Sequence, residues 1–399
     1  MNQSLLLLIA ALMAPSIAKA ASPPNSVPSI TFTKYVDGLV AEAKTNNPAL
    51  LAAVDRARTA TTRAEGPALL LPKNVSKTEA ALRSTELDYQ LQVLRRDLMK
   101  GLLDSALAYS VLDFDRQHLA WIEATEDTVE AKYRVGQATL ADTLLAQNDY
   151  SVANDQVLTS RHRLIAAHLS LNRLLNRGPN RVWPTLELPD LSPALPFSQA
   201  LVSLALTNGP YLKLLNAQLN FAKAQADWIR ESARQQSDLT AAERALRFGR
   251  SSLNTRLLEP RPLTGGELLR DLASAAATPR ATELEREDQI LMAREAMHHL
   301  SVNTEAFRRE ALVYREQVGV RSAQILTNRL SAWETGRGTI REVLDARRAI
   351  LDSQLKAAQA AAEQLRAAAD LALWTGLNGL EELSTLADEE SLIEAHAFH

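Results

Sequence analysis

The side chains with chemical potential in this 399-residue chain are acids, histidines and methionines, because it has no cysteine. Thiol nucleophiles, disulfides and cysteine metal sites are thereby excluded. Glu342 and Asp345 stand three residues apart, a spacing that puts both carboxylates on one face of a helix. On a single chain they read as an ordinary solvated pair. If several copies of that helix lined a pore, they would form an acidic ring that repels anions and holds cations. Met297, His298 and His299, with Met292 nearby, are the one cluster of candidate metal ligands. Adjacent histidines point to different helix faces, so a structural or surface role is the better reading and metal handling the weaker one. A Gly-rich phosphate loop, a nucleophile elbow and a carboxylate pair in a glycosidase context are all missing. The chain is therefore expected not to be an enzyme and to need no cofactor.

The acids belong to a segment that occurs twice. Tyr133 to Tyr150 reads YRVGQATLADTLLAQNDY, and Trp333 to Ile350 reads WETGRGTIREVLDARRAI. Tyr133 aligns with Trp333, Gly136 with Gly336, Thr139 with Thr339 and Asp142 with Glu342, at a constant offset of 200. Local chemistry explains each copy as helix punctuation. Gly ends one helix in a left-handed conformation, Thr caps the next, and the acid sits in its first turn near the positive end of the dipole. Occurrence twice, at matching internal positions, exceeds punctuation.

Long helices must position these tips. Aromatics are 5% of the chain against 46% hydrophobic residues, so Ala and Leu carry the apolar load, which favours helix over sheet. Leu87, Leu91, Leu94, Leu98, Leu102, Ala106, Tyr109 and Leu112 recur at steps of three and four. Leu119, Ile122, Val129 and Tyr133 extend that stripe. A helix over 77–133 would run about 85 Å and must pack on other long helices. Leu140, Leu144, Val157, Leu164, His168, Leu171 and Leu175 mark the returning helix. The second half repeats the plan with a helix over 283–332, a tip at Trp333 to Thr339, and a return through Leu344, Ile350, Leu355, Ala362, Leu365 and Leu373. The fold class is all-α: two repeats of long antiparallel coiled-coil hairpins.

Residues 1–20 carry an apolar run from Leu5 to Ala14 and end in Ala18-Lys19-Ala20, the pattern of a cleaved secretory signal. No cysteine follows it to take a lipid anchor. Helical repeats are expected over 21–180 and 198–380, each opening on a break, Asn46-Asn47-Pro48 and Asn208-Gly209-Pro210. A Pro-rich linker over 181–197 joins them, and 381–399 forms an acidic tail. The net charge of −3, with no strongly basic tract, excludes nucleic acid as a partner.

These residues resemble the TolC-type outer-membrane efflux protein family. The carriers are the Asn47-Pro48 break, the two tips, and the Leu174-Leu175 and Leu373-Trp374 segments before Gly178 and Gly376. The resemblance implies a protomer of a trimeric periplasmic helical tunnel, an α-barrel, that receives substrates from an inner-membrane pump through a periplasmic adaptor. It implies that Tyr133, Gly136, Thr139, Trp333, Gly336 and Thr339 form adaptor-docking tips. It further implies that Asp142, Glu342 and Asp345 are acids of the pore aperture. Gly338 falls where some members carry a basic residue and Trp333 where some carry Tyr, which argues against a charge-based lock to Asp142.

Members of that family also give two strand pairs to an outer-membrane β-barrel. Here GPALLLPKNVSKTEA leaves room for no membrane hairpin, and Asp238 to Arg280 alternates too poorly for lipid-facing strands. The barrel is expected to be missing or reduced, and an unclosed remnant cannot stay in hydrocarbon. The expected location is the periplasm, associated with the outer membrane through partners. The leading function is a tripartite efflux or export duct component for small molecules. The alternative is a barrel-less periplasmic scaffold or regulator that binds an adaptor or a full-length paralogue without conducting.

Overall fold

A computed structural model describes residues 29–66, 72–191, 195, 198–238, 265–379 and 382. Among them there are nine α-helices and no strand: α1 (Ser29–Asn46), α2 (Pro48–Glu65), α3 (Lys73–Arg134), α4 (Leu140–Leu174), α5 (Ser198–Asn208), α6 (Pro210–Asp238), α7 (Gly265–Leu312), α8 (Gly319–Glu334) and α9 (Ile340–Thr375). A wide π turn, Val313–Val318, joins α7 to α8 without breaking the rod. The 62 residues of α3 span about 93 Å.

Each break follows from its residues. Asn47 is extended and its side chain accepts from the N–H groups of Ala49 and Leu50, while Pro48 opens α2 where no N–H is needed. The Asn47 amide also donates to the Leu174 carbonyl at 2.8 Å, tying this break to the end of α4. In the second half Gly209 stands in that place, and a Cβ there would meet the Trp374 carbonyl at 2.9 Å.

α3 pairs with α4 and, on another side, with α9, and α9 pairs with α7 and α8. The long helices thus form a row, α4, α3, α9, α7–α8, with α4 and α7–α8 at its ends. α2 lies on α3, and α6 lies over both α3 and α7, with Tyr89 and Tyr211 in ring contact at 5.4 Å. Towards the base, Leu94, Leu98, Leu102 and Leu103 pack with Leu171, Leu175 and Leu365. Towards the tips, Ile122 and Val129 pack with Leu326, Ile340, Val343 and Leu344.

The four positive-φ residues among those described fall at the four hairpin ends: Gly136 and Gly336 at the tips, Asn176 and Gly376 after the return helices. Each pair is 200 apart, so the duplication is carried in the backbone. Nearer the base the interval changes. Buried Leu94, Leu98, Ser105 and Leu112 of α3 correspond to buried Ala293, Met297, Thr304 and Ala311 of α7, all 199 apart. The π turn absorbs the extra residue while keeping the buried face in phase.

The long helices start earlier than periodicity suggests, at Lys73 and at Gly265 rather than near 77 and 283. Part of the stretch weighed for strands, 265–280, is therefore helix, with Pro279 inside it. Ala68 to Leu71 and 239–264 lie outside the described residues, as do 1–28 and nearly all of the acidic tail. The Pro-rich connector is non-helical over 178–191 and is clasped at Trp183, whose indole N–H donates to Asn172 at 2.8 Å. No helix among the described residues is long and apolar enough to cross a membrane.

Candidate functional site: the hairpin tips

The two tips are built by the same hydrogen bonds. At the first, the Gly136 N–H donates to the Tyr133 carbonyl at 2.9 Å and the Gln137 N–H to Lys132 at 2.8 Å. At the second, Gly336 donates to Trp333 at 3.1 Å and Arg337 to Ala332 at 2.8 Å. This is a Schellman ending, and φ is 74° at Gly136 and 75° at Gly336. A Cβ at either glycine would meet nothing within 4 Å, so only the left-handed backbone demands glycine. Thr139 and Thr339 then cap α4 and α9 in extended conformations.

The acids divide after this point. Asp142 closes a capping box: its N–H donates to Thr139 Oγ1 at 3.2 Å, and its carboxylate accepts from the Thr139 N–H at 2.9 Å. Glu342 makes only the first half, at 3.4 Å, and its carboxylate turns to Arg329 at 3.0 Å. Asp345 is exposed and pairs with Arg348 at 3.2 Å. Both acids of the second repeat thus face guanidinium groups of their own chain, and Asp142 is occupied by its own helix.

The aromatic positions divide as well. Tyr133 is 44% exposed. Trp333 is half-buried beneath the Lys132 ammonium of α3, 3.6 Å from the ring centroid. Burial pushes the Lys132 ammonium below its usual pKa, against the opposing pull of Glu334. That contact ties the first tip to the second by a cation–π interaction in place of a charge pair.

Behind the tips lies a partly buried polar layer. Arg348 bridges α9 to Asp149 of α4, and Arg347 lies 5.5 Å from the Trp121 ring on α3. Asp115 accepts from Ser160 across the first hairpin. His118 is buried, and desolvation, with Arg347 and Arg348 nearby, pushes it down to about 4. The signal available in sequence was polar residues on an apolar stripe, at His118 and Asp115.

Met297 is fully buried with Leu201 and Leu371, whereas His298 and His299 are exposed and His299 bonds Asn303 at 3.0 Å. The cluster does not converge, and the described residues contain no group of three His, Asp or Glu able to hold a metal.

No protein-family model and no curated protein matches the sequence. Solved structures do match in shape. The outer-membrane channel OprN superposes with a TM-score of 0.70 at 14% identity, covering 88% of this chain and 92% of that one. The outer membrane protein VceC of Vibrio cholerae gives 0.64 at 16% identity, covering 87% and 96%. The Campylobacter jejuni CmeC outer membrane channel gives 0.68 at 11%, covering 87% of each. With two long hairpins in tandem and paired tips, this chain has the fold of the helical part of these outer-membrane channel proteins.

Proposed function

We propose that this chain is a duct component of a tripartite efflux or export assembly. In this reading it is exported, three copies form a periplasmic helical tunnel associated with the outer membrane, and small molecules pass out through it from an inner-membrane pump. The tips around Gly136 and Gly336 dock the helical hairpins of a periplasmic adaptor, with Tyr133, Thr139, Trp333 and Thr339 at the contact. Asp142, Glu342 and Asp345 stand at the aperture, the last two tempered by Arg329 and Arg348. The observation that carries this reading is two hairpins, each pairing a helical rod on the order of 90 Å or more with a return helix of about 50 Å, whose exposed turns share one backbone geometry at one end. Such a length serves reach, and such matched ends serve repeated contact with a partner.

The domain plan, with a leader over 1–20, repeats over 21–180 and 198–380 joined by a linker over 181–197, and an acidic tail over 381–399, belongs to the same proposal. A second reading, a non-conducting scaffold that binds an adaptor or a full-length channel, draws support from the lack of strands among the described residues.

The cysteine-free chain makes the test clean. A benzophenone maleimide placed at Gln137→Cys or Arg337→Cys in cells should capture a periplasmic adaptor, identified by mass spectrometry. Labels at the tips that capture no adaptor would overturn the docking role. Deletion that lowers export with no other channel present supports the duct; an effect only beside a full-length channel supports the scaffold.

A further inference from the structure

Three helices, α3, α4 and α9, meet behind the tips, and each pair of them is joined there by a polar contact. Asp115 of α3 accepts from Ser160 of α4, Trp121 of α3 lies 5.5 Å from the Arg347 guanidinium of α9, and Asp149 of α4 pairs with Arg348 of α9. His118 stands on α3 midway between Asp115 and Trp121, and it is 5% exposed. The first contact lies within the first hairpin, and the other two cross from one hairpin to the other.

The polar atoms of this layer are not all used. His118 Nδ1, Asp149 Oδ2 and Arg347 Nε are buried without a hydrogen-bond partner. The charges that act on His118 are both cations, Arg347 and Arg348 of α9. The nearby carboxylates are engaged elsewhere: Asp115 with Ser160, Asp149 through one oxygen with Arg348, and exposed Asp345 with Arg348 as well. Other ionisable side chains near this level, among them Asp155 and His162 of α4 and Asp352 of α9, are exposed to water. A neutral imidazole fits this enclosure, whereas an imidazolium adds a third cation beside two buried acids.

We propose that His118 is an acid sensor set between the two hairpins: once protonated it drives α9 off α3 and α4, breaking the Trp121–Arg347 and Asp149–Arg348 contacts while the Asp115–Ser160 bond keeps the first hairpin whole. Movement of α9 is the relief because both repelling cations ride on it. Its departure also lets water reach the imidazole, which returns from about 4 towards the ordinary 6.5. Each release therefore takes up a proton. The closed layer has its full stability above pH 6.5 and loses it as pH falls towards 4. Between pH 7 and pH 5 the release equilibrium should rise about twentyfold.

The full chain lacks cysteine, so single cysteines report the release through their rate of reaction with a methanethiosulfonate. Ala146→Cys lies in the core that both hairpins share near the tips, and Ala106→Cys lies in the core near the base. Each rate is divided by that of exposed Gln137→Cys, so that thiol ionisation cancels. The ratio at Ala146→Cys should rise about twentyfold from pH 7 to pH 5 and exceed the ratio at Ala106→Cys at least tenfold at pH 5. Equal ratios at the two sites would mean that the chain opens as a whole, and a flat ratio at Ala146→Cys that nothing is released; either result overturns the proposal. Adding His118→Gln should abolish the acid rise, and a rise that persists overturns it too. Should that variant fail to fold by circular dichroism, Arg347→Gln decides: it keeps His118 and removes one repelling cation, so labelling at pH 7 should quicken while the acid rise shrinks several-fold. A merely structural Arg347 would change the first and leave the second.

Discussion

The two hairpins share their turns and differ in almost everything around them. Their tip glycines match to within a degree of φ, and both return helices begin on a capping threonine. Yet α3 runs unbroken where its counterpart carries a π turn, and His118 stands in α3 where Val318 ends that turn. The helices of the first hairpin approach closely at Gly101, whereas Leu300 occupies the corresponding place in the second. Asp142 locks its own cap, while Glu342 gives its carboxylate to Arg329. The comparison teaches that a turn closed by its own neighbours survives duplication, whereas the sides of the helices diverge to suit what lies against them.

The sharpest way to break this comparison is deletion. Removing Asp113 from α3 rotates one half of a continuous buried face against the other by about 100° and should cost more than about 4 kcal/mol in urea unfolding. Removing Arg315 instead converts the π turn to α-helix, keeps both halves in phase, and should change stability by no more than about 1 kcal/mol. Equal losses at the two sites would mean that the π turn does not hold an inserted residue.

Next in size is a pH effect centred on His118 of α3. The folded pKa of His118, about 4, lies below the ordinary imidazole value of 6.5. Between these values the unfolded chain takes up a proton that the folded chain refuses, so stability falls as pH drops from about 6.5 to 4 and levels off below. The full span is worth about 3 kcal/mol. His118→Gln should flatten that part of the stability profile, and an unchanged profile would place the titration elsewhere.

Smaller again is Gly101→Ala, whose Cβ would stand 2.6 Å from a Leu171 methyl; it should cost about 1 to 2 kcal/mol, measured by thermal unfolding. Least is the pair of caps. Asp142→Ala removes the carboxylate that accepts from the Thr139 N–H and hydroxyl, leaving only the backbone half of the capping box, and should cost about 1 kcal/mol, while Glu342→Ala loses only an exposed ion pair to Arg329 and should cost about half as much. Identical losses would show that the capping box contributes nothing beyond the threonine.

Much of the fold was legible because helices and their ends are local. Leucines at steps of three and four mark buried stripes, and a Gly followed three residues later by Thr encodes both halves of a turn within seven residues. The tip residues could be named for the same reason. The π turn was hidden, since one extra residue shifts the repeat interval by one without disturbing the composition of either flank. The helix start at Lys73 escaped because its first turn carries little apolar pattern, and the start at Gly265 because Gly265-Gly266 and Pro279 read as breaks.

The partners of the tip residues were beyond sequence reasoning for another reason. Lys132 and Trp333 are 201 residues apart, and Asp149 and Arg348 are 199 apart, so which carboxylate meets which cation depends on how two rods lie side by side. By itself the sequence determined an all-helical chain, duplicated, with two glycine turns capped by threonine, because each feature is settled by bonds spanning five residues or fewer. Only the tertiary structure decided which faces of those helices are covered, which acids are spoken for, and which leucines stand open, because burial and charge pairing are properties of neighbours in space.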